Sequence, residues 1–445
     1  MTISPDVSAI AARMGAAELI GSRFGIIRKL EQTEPPPGFP PTFVQYTTHV
    51  CDSLQFSAWA ADTAGAGTTT TDPDNAVVAA IGESIERYCA NLVPANLRLS
   101  SYQALAEQGQ DAVDPAALAL FSDDQYRAPG FPFVPFTVDL PVHWAPARRI
   151  TTQQAAWVPA ALALITFYEG EVFADEPPIL PLVHAGVAAG ANRDDAEWRA
   201  LAELLERDAM TLAWNGRREL CVVAPPPRLA EELDRFYGDF DIRFEPQPPG
   251  YRSLGTACRP SIEECLHESL AESLQMQLIV RYLDDPTSAF MAAAQSPDSP
   301  LQPWRPKRDY LQGLRSGWKD LTHHACHLQV HLDPASEAPF ERELGPLPAR
   351  TVDELNDQID PPAASSHTAL RDACVARLEA AGHPVYSVDL TTDDVRAASP
   401  IRVVRVTSPG LYSYAAAAFP CLGGARLARL LATTDYEPRL FPLPH

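Results

Sequence analysis

Between residues 75 and 92 apolar side chains return at Val78, Ile81, Ile85 and Cys89. Steps of three and four are the period of a helix with one buried face. Glu83 and Glu86 lie three apart on that helix, so their carboxylates are surface neighbours that repel. Arg87 cannot neutralise both. The pair is therefore either a solvated face or a place for a cation. The phrase returns in residues 200–208, where Glu203, Glu206 and Arg207 repeat the E-x-x-E-R core inside a helix predicted over 194–214. A third helix is predicted over 261–282. Ser261 and Glu264 have capping-box spacing there, and Glu268, Glu272 and Gln275 share one side. Two matched acidic helices and a third suggest carboxylates gathered around one site.

The rest of the pattern supplies the frame. Residues 8–30 read as a helix followed by a strand over 24–30, residues 34–41 as an extended proline-rich stretch, and 44–60 as one or two strands. A Gly- and Thr-rich loop over 64–72 runs into the first acidic helix, with Asp72 or Asp74 as its cap. Residues 100–139 read as a short helix with loops, and 156–168 as strand-like. A second small-residue loop, 182–193, feeds the second acidic helix. Backbone N–H groups at both helix entrances could face a phosphate. A short helix is expected at 228–236 and a proline-rich turn at 245–250. Residues 284–307 and 333–349 read as peripheral proline-rich loops. A helix over 367–381, closed by Gly382 and Pro384, precedes strands at 385–390 and 401–407. Helices and strands interleave throughout, which makes the fold class α+β (mixed α/β).

Composition narrows the chemistry. The 445 residues can bury a large core, and 46% are apolar. With 57 acidic against 35 basic residues the net charge is −22. That excludes a phosphate-tracking nucleic-acid binder and argues against docking on anionic lipid. The first 15 residues lack a basic start and a sustained apolar run, and the longest apolar run, 155–167, contains Pro159 and is too short to span a bilayer. A cytoplasmic location is the expectation. Eight cysteines without a C-x-x-C pair fit buried thiols in a reducing compartment.

For Glu83, Glu86, Glu203, Glu206 and Glu272 two readings stand. One is magnesium held jointly by carboxylates and nucleotide phosphates, and the other is a solvated acidic face. A carboxylate-bridged di-iron bundle needs two Glu-x-x-His pairs on matching helices, and only Glu264 and His267 form one. His323, His324, Cys326, His327 and His331 suggest zinc. Residues 324–332 alternate as a strand would, however, and on a strand residues four apart stand about 13 Å from each other. Zinc is rejected on that strand reading. No G-x-S-x-G, Ser-His-Asp arrangement or complete Walker A phrase occurs.

The ordered phrases resemble the YcaO proteins, ATP-dependent enzymes that modify peptide backbone amides, over roughly residues 45–412. The resemblance is carried by Gly82-Glu83-x-x-Glu86-Arg87-Tyr88, by Trp157-Val158-Pro159, and by Ala188-Ala189-Gly190 leading to Glu203-x-x-Glu206-Arg207-Asp208-Ala209. Glu272-x-x-Gln275 and Arg402-Val403-Val404-Arg405-Val406 before Pro409-Gly410-Leu411 complete it. It implies a nucleotide–Mg²⁺ cavity lined by Glu83, Glu86, Glu203, Glu206, Glu272 and Gln275, with Arg87, Arg207 and Arg405 contacting or positioning phosphates. The implied reaction phosphorylates a backbone amide oxygen of a ribosomally made precursor peptide with ATP. In the azoline-forming branch a Cys, Ser or Thr side chain attacks the preceding amide carbonyl. ATP phosphorylates the oxygen, and phosphate leaves to give a thiazoline or oxazoline. Related branches make thioamides or macrocyclic amidines, and a non-catalytic peptide- or partner-binding subunit is the alternative of another class.

The sequence departs from the family pattern at Gly65-Ala66-Gly67, where Gly-Lys-Gly is common, and at His184-Ala185-Gly186, where Ser-Asn-Gly is usual. It also departs at Gln277, where an arginine is frequent, and in the reduced proline motif Pro442-Leu443-Pro444-His445. The expected organisation is an N-terminal extension (1–44), a YcaO-like domain (45–420) and a C-terminal proline-containing tail (421–445). Expected partners are the precursor peptide and a separate leader-peptide-binding protein, with a homodimer left open.

Overall fold

The computed structural model describes the chain apart from residues 1–4, 37–38, 56–62, 95, 169–172, 174, 238–250, 297–298, 359–361, 363–365 and 435–436. In chain order the strands are β1 (Ile27–Thr33), β2 (Val44–Val50), β3 (Ala66–Thr69), β4 (Arg98–Ser100), β5 (Asp111–Ala112), β6 (Val142–Arg149), β7 (Ala155–Pro159), β8 (Val187–Gly190), β9 (Val222–Ala224), β10 (Ala349–Thr351), β11 (Tyr386–Asp389) and β12 (Arg402–Thr407). The strands β1-β2-β3 form a small antiparallel sheet. The main sheet runs β5-β7-β6-β11-β12-β8 with β4 added on β6, and β9 pairs with β10 separately. The fold class is mixed α and β, as the interleaved pattern predicts.

The first acidic helix, Pro73–Asn91, begins where Asp72 accepts a hydrogen bond from the Asp74 amide and Pro73 opens the first turn. Its buried Val77, Ile81 and Ile85 join one core with Trp144, Val158 and Val403 of the main sheet. The second acidic helix, Arg193–Asn215, capped by Asn192, buries Ala200, Leu201 and Leu204 against Val404 and Val406. The residues of β12 thus alternate between two cores, as the period of a strand requires. Val403 and Arg405 share the face toward the first helix, and Val404 and Val406 face the second. The third acidic helix, Ile262–Leu283, starts with the predicted capping box of Ser261 and Glu264. It packs against β3.

Several expectations give way. The Gly- and Thr-rich stretch at 64–72 contains a strand, because Ala66 to Thr69 pairs with Thr47 to Val44. Likewise β8 lies within the second small-residue stretch and pairs with β12. The strand-like stretch after Trp157 turns helical over Ala160–Ala163. The proline-rich segments carry helices at Ala289–Ala293 and Glu337–Leu344, the latter burying Phe340. The histidine segment is a helix, Ala325–Leu332, whose seven residues from Cys326 to Leu332 are all buried. Its alternation of polar and apolar residues misleads because both faces are covered, so no polar side has to meet water. The turn expected at 245–250, and any second strand over 56–60, lie outside the described residues.

The C-terminal segment is packed into the body of the fold. A helix occupies Ala425–Thr434, and the final residues are pinned by Trp214 Nε1 on the Phe441 carbonyl (2.7 Å), the Leu254 amide on Pro444 (2.7 Å) and His331 Nε2 on Pro442 (2.8 Å). Among the described residues no helix is long and apolar enough to cross a membrane.

Candidate functional site

One local device is used three times. Glu83 Oε2 accepts a hydrogen bond from the Ala66 amide at 3.0 Å, and Glu203 Oε2 accepts one from the Gly186 amide at 3.0 Å. Each glutamate stands 17 residues after its donor. Glu272 Oε2 accepts the Thr256 amide in the same way, 16 residues after it. Each acidic helix is therefore tied by a glutamate to the strand or loop that leads into it. A glycine within four residues of each amide donor lets that strand or loop approach the helix closely. A Cβ on Gly67 would meet the Ala76 carbonyl at 2.1 Å. One on Gly190 would meet the Ala196 amide at 2.2 Å, and one on Gly255 the Ser269 carbonyl at 2.0 Å. The bonding uses backbone N–H groups, so it survives Ala66 and His184-Ala185-Gly186 as they stand.

The carboxylates and arginines of the three helices come together. Arg207 Nη2 lies 3.5 Å from Glu206 and 3.7 Å from Glu272, with Nε 4.0 Å from Glu203. Thr256 Oγ1 donates to Glu206 at 2.6 Å and accepts from Arg207 Nη1 at 3.1 Å. Arg87 Nη2 lies 3.6 Å from Glu83, and Arg87 Nη1 donates to His184 Nδ1 at 2.6 Å. Gln275 Oε1 accepts from Thr68 of β3 at 3.4 Å. His445 Nε2 stands 2.5 Å from Arg207 Nη1 and 3.4 Å from Glu272 Oε1, so one ring nitrogen faces both a donor and an acceptor. Arg405 is 1% exposed, and its guanidinium donates to the carbonyls of Ala163 (3.2 Å), Val183 (2.7 Å), His184 (3.1 Å) and Ala185. It acts on the cavity through the loop it holds.

Electrostatics separates these groups. Burial, with Glu203 and Glu83 nearby, outweighs Arg87 and Arg405 and pushes Glu86 up to about 8. Burial also raises Glu203. For Glu272 burial is outweighed by His445, Arg207 and the Thr256 amide, which take it down to about 2. Burial pulls Arg405 down to about 10, and burial with Arg87 and Arg405 takes His184 down to about 3.

A bound cation suits this donor set. Glu86 is half-buried and makes no hydrogen bond or ion pair among the described residues, and the nearby Arg87 and Arg405 do not offset the cost of burying its charge. Yet among the described residues no three acidic, imidazole or thiol groups converge as a ready-made metal cage. That combination matches Mg²⁺, which keeps waters and takes one or two carboxylates while phosphates complete its shell.

The histidine helix has a different role. His327 Nε2 accepts from the Ala417 amide at 2.9 Å, its Nδ1 faces Tyr414 Oη at 3.0 Å, and His331 holds Pro442. A helix brings such residues close enough to share an ion, which the strand reading denied, but both His327 nitrogens and His331 Nε2 are engaged within the protein. His324 Nδ1 and His331 Nδ1 are buried without a hydrogen-bond partner among the described residues.

Sequence reading missed Thr256 and His445. Thr256 had a signal, because Gly255-Thr256 precedes Glu272 at nearly the interval that separates Ala66 from Glu83 and Gly186 from Glu203. His445 had none, since 173 residues separate it from Glu272.

A family model described as YcaO cyclodehydratase, ATP- and Mg²⁺-binding, matches residues 66–245 and 241–412. No curated protein matches the sequence. Among solved structures, a heterocyclase in complex with substrate and cofactor is 18% identical with a TM-score of 0.63, covering 99% of this chain and 57% of its own. The chain thus spans little more than half the length of that relative. YcaO from Methanopyrus kandleri bound with AMPPCP and Mg²⁺ is 18% identical with a TM-score of 0.57, covering 91% of this chain and 88% of its own. The E. coli microcin synthetase McbBCD complex is 12% identical with a TM-score of 0.55, covering 93% and 96%. At these identities the likeness is one of fold.

Proposed function

The chain belongs to the YcaO family, and from that premise we propose that it is an ATP- and Mg²⁺-dependent cyclodehydratase acting on a ribosomally made precursor peptide. The observation that carries this reading is the threefold tie of Glu83, Glu203 and Glu272 to backbone amides. It holds one oxygen of each carboxylate in place while the other faces an arginine: Glu83 Oε1 lies 3.6 Å from Arg87, and Glu203 Oε1 and Glu272 Oε1 lie 4.0 Å and 3.7 Å from Arg207. Mg²⁺, when bound, would offset negative charge on the transferring phosphoryl group. Glu83, Glu86, Glu203, Glu206 and Glu272 are the residues that would hold it, with Gln275 beside them. Arg87 and Arg207 flank the carboxylates and stabilise the negative charge that develops on the phosphates.

The chemistry asked of the site is phosphorylation of an amide oxygen, which turns a poor leaving group into phosphate. A Cys, Ser or Thr side chain of the peptide adds to the preceding amide carbonyl and gives up its proton. ATP phosphorylates the oxygen so released, and departure of phosphate with loss of the amide N–H proton completes a thiazoline or oxazoline. The heterocyclase and microcin synthetase likenesses support a peptide substrate, and the latter complex supports recruitment through a separate partner protein. Mass spectrometry of a candidate precursor incubated with the chain, MgATP and any co-encoded partner tests the reading. The expected result is loss of one water per azoline, dependent on ATP. An unmodified peptide together with no detectable MgATP binding would replace this reading by that of a non-catalytic subunit.

A further inference from the structure

The guanidinium of Arg87 is oriented by a residue from another unit of the fold. Its Nη1 donates to His184 Nδ1 at 2.6 Å, whereas the ion pair within its own helix, to Glu83, is looser at 3.6 Å. His184 is itself fixed. Its carbonyl and those of Val183 and Ala185 on either side all accept from Arg405, which is fully buried. The next residue, Gly186, is tied to Glu203. Burial and the nearby arginines keep the imidazole neutral, so Nδ1 is an acceptor without charge.

We propose that His184 is a positioning residue that presets Arg87 for a nucleotide phosphate. A neutral acceptor locks one arm of the guanidinium without adding a second negative charge to that of Glu83, as a carboxylate at the same place would. Arginine loses rotamer freedom when it clamps a phosphate. An arm already held lowers that cost at the moment of binding. His184 also links the two acidic helices, since it sits on the loop tied to Glu203 and grips the arginine beside Glu86. The inference rests on the nucleotide reading of the cavity.

Calorimetry of the full chain with MgAMPPCP tests it, using wild type, His184→Phe, His184→Asn, Arg87→Ala and the Arg87→Ala/His184→Phe double variant. Phenylalanine keeps the ring and removes the acceptor, and the Asn amide oxygen can take the place of Nδ1. His184→Phe is expected to weaken binding on the order of tenfold, the scale of one lost hydrogen bond to a charged group. His184→Asn should recover most of that loss. In the Arg87→Ala background, His184→Phe should add nothing, because His184 acts through Arg87. If His184→Phe does not fold, His184→Leu provides the same comparison. Wild-type affinity in the Phe or Leu variant, or an equal loss in both backgrounds, would overturn the positioning role. A wild-type protein that binds no MgAMPPCP would overturn the nucleotide reading and this inference with it.

Discussion

Glu83 and Glu203 occupy equivalent places in two strand–helix units: each accepts a backbone amide 17 residues earlier in the chain at 3.0 Å. The bond needs an oxygen acceptor and no charge, whereas a magnesium ligand needs the charge. Glutamine separates the two roles. Glu83→Gln and Glu203→Gln are expected to keep thermal stability within about 1 kcal/mol, because the amide oxygen still accepts the N–H. ATP turnover should fall by roughly a hundredfold or more. Melting curves alongside a phosphate-release assay check this, and equal losses of stability and turnover would argue for a purely structural carboxylate.

The backbone at the second tie is equally demanding. Gly186 has φ +86°, and a Cβ there would stand 2.5 Å from the Val406 carbonyl. Gly186→Ala is expected to cost about 2 kcal/mol or more through strain and displacement of β12. Gly82, within the first acidic helix, has nothing within 4 Å of a built Cβ. Gly82→Ala should therefore be neutral or stabilising by up to about 1 kcal/mol, as alanine is the better helix former. Urea unfolding of the two variants gives the comparison.

Arg405 and Arg87 should fail differently. Arg405→Met leaves the carbonyls of Val183, His184 and Ala185 without their buried donor, and about 3 kcal/mol or more of stability should go with it. Arg87 is partly exposed, its side chain 21% so, and Arg87→Met should cost less stability than Arg405→Met while raising the Kd for MgATP. A stability loss at Arg87 as large as that at Arg405 would contradict this division of labour.

Protons and Mg²⁺ compete for Glu86. Burial carries this carboxyl up to about 8, so at pH 6 it is largely protonated and at pH 8 about half ionised. The thermal shift produced by added Mg²⁺ should grow from pH 6 to pH 8, and Glu86→Gln should flatten that growth. A raised carboxyl pKa also means that the metal-free fold binds more protons than the unfolded chain. This contribution to stability therefore falls as pH rises from about 4.5 to about 8.

The buried histidines act in the opposite sense. Burial, helped by His331 and His445, takes His327 down to about 3, and burial takes His331 down to about 4. Their folded values lie below the unfolded value of about 6.5, so the stability they confer is complete above that pH and drains away as pH falls toward 4. Between pH 7 and pH 5 the expected loss is about 2 kcal/mol for each neutral group. Comparing the pH slope of unfolding in wild type and His327→Gln isolates the term, and an unchanged slope would refute it.

The three acidic helices were legible from order alone. Their caps, apolar faces and paired glutamates depend on residues within a few turns, and local spacing is what a helix expresses. Even the repeated interval between loop and glutamate is written in the chain, though only the folded form reveals it as a hydrogen bond. The histidine helix and the two small-residue strands were not legible. A segment covered on both faces shows no polar side, and whether Ala66 to Thr69 becomes a strand depends on β2 offering it partners. Tertiary structure alone decided which arginine meets the cavity and which is buried beneath it. Arg87 and Arg405 look alike as residue types, yet β12 turns Arg405 inward with Val403 while the first helix leaves Arg87 at the wall beside His184. The same holds for His445, brought against Glu272 and Arg207 by a chain end pinned through Phe441, Pro442 and Pro444. Contacts between residues so far apart are set by how the units pack, and no local periodicity records that packing.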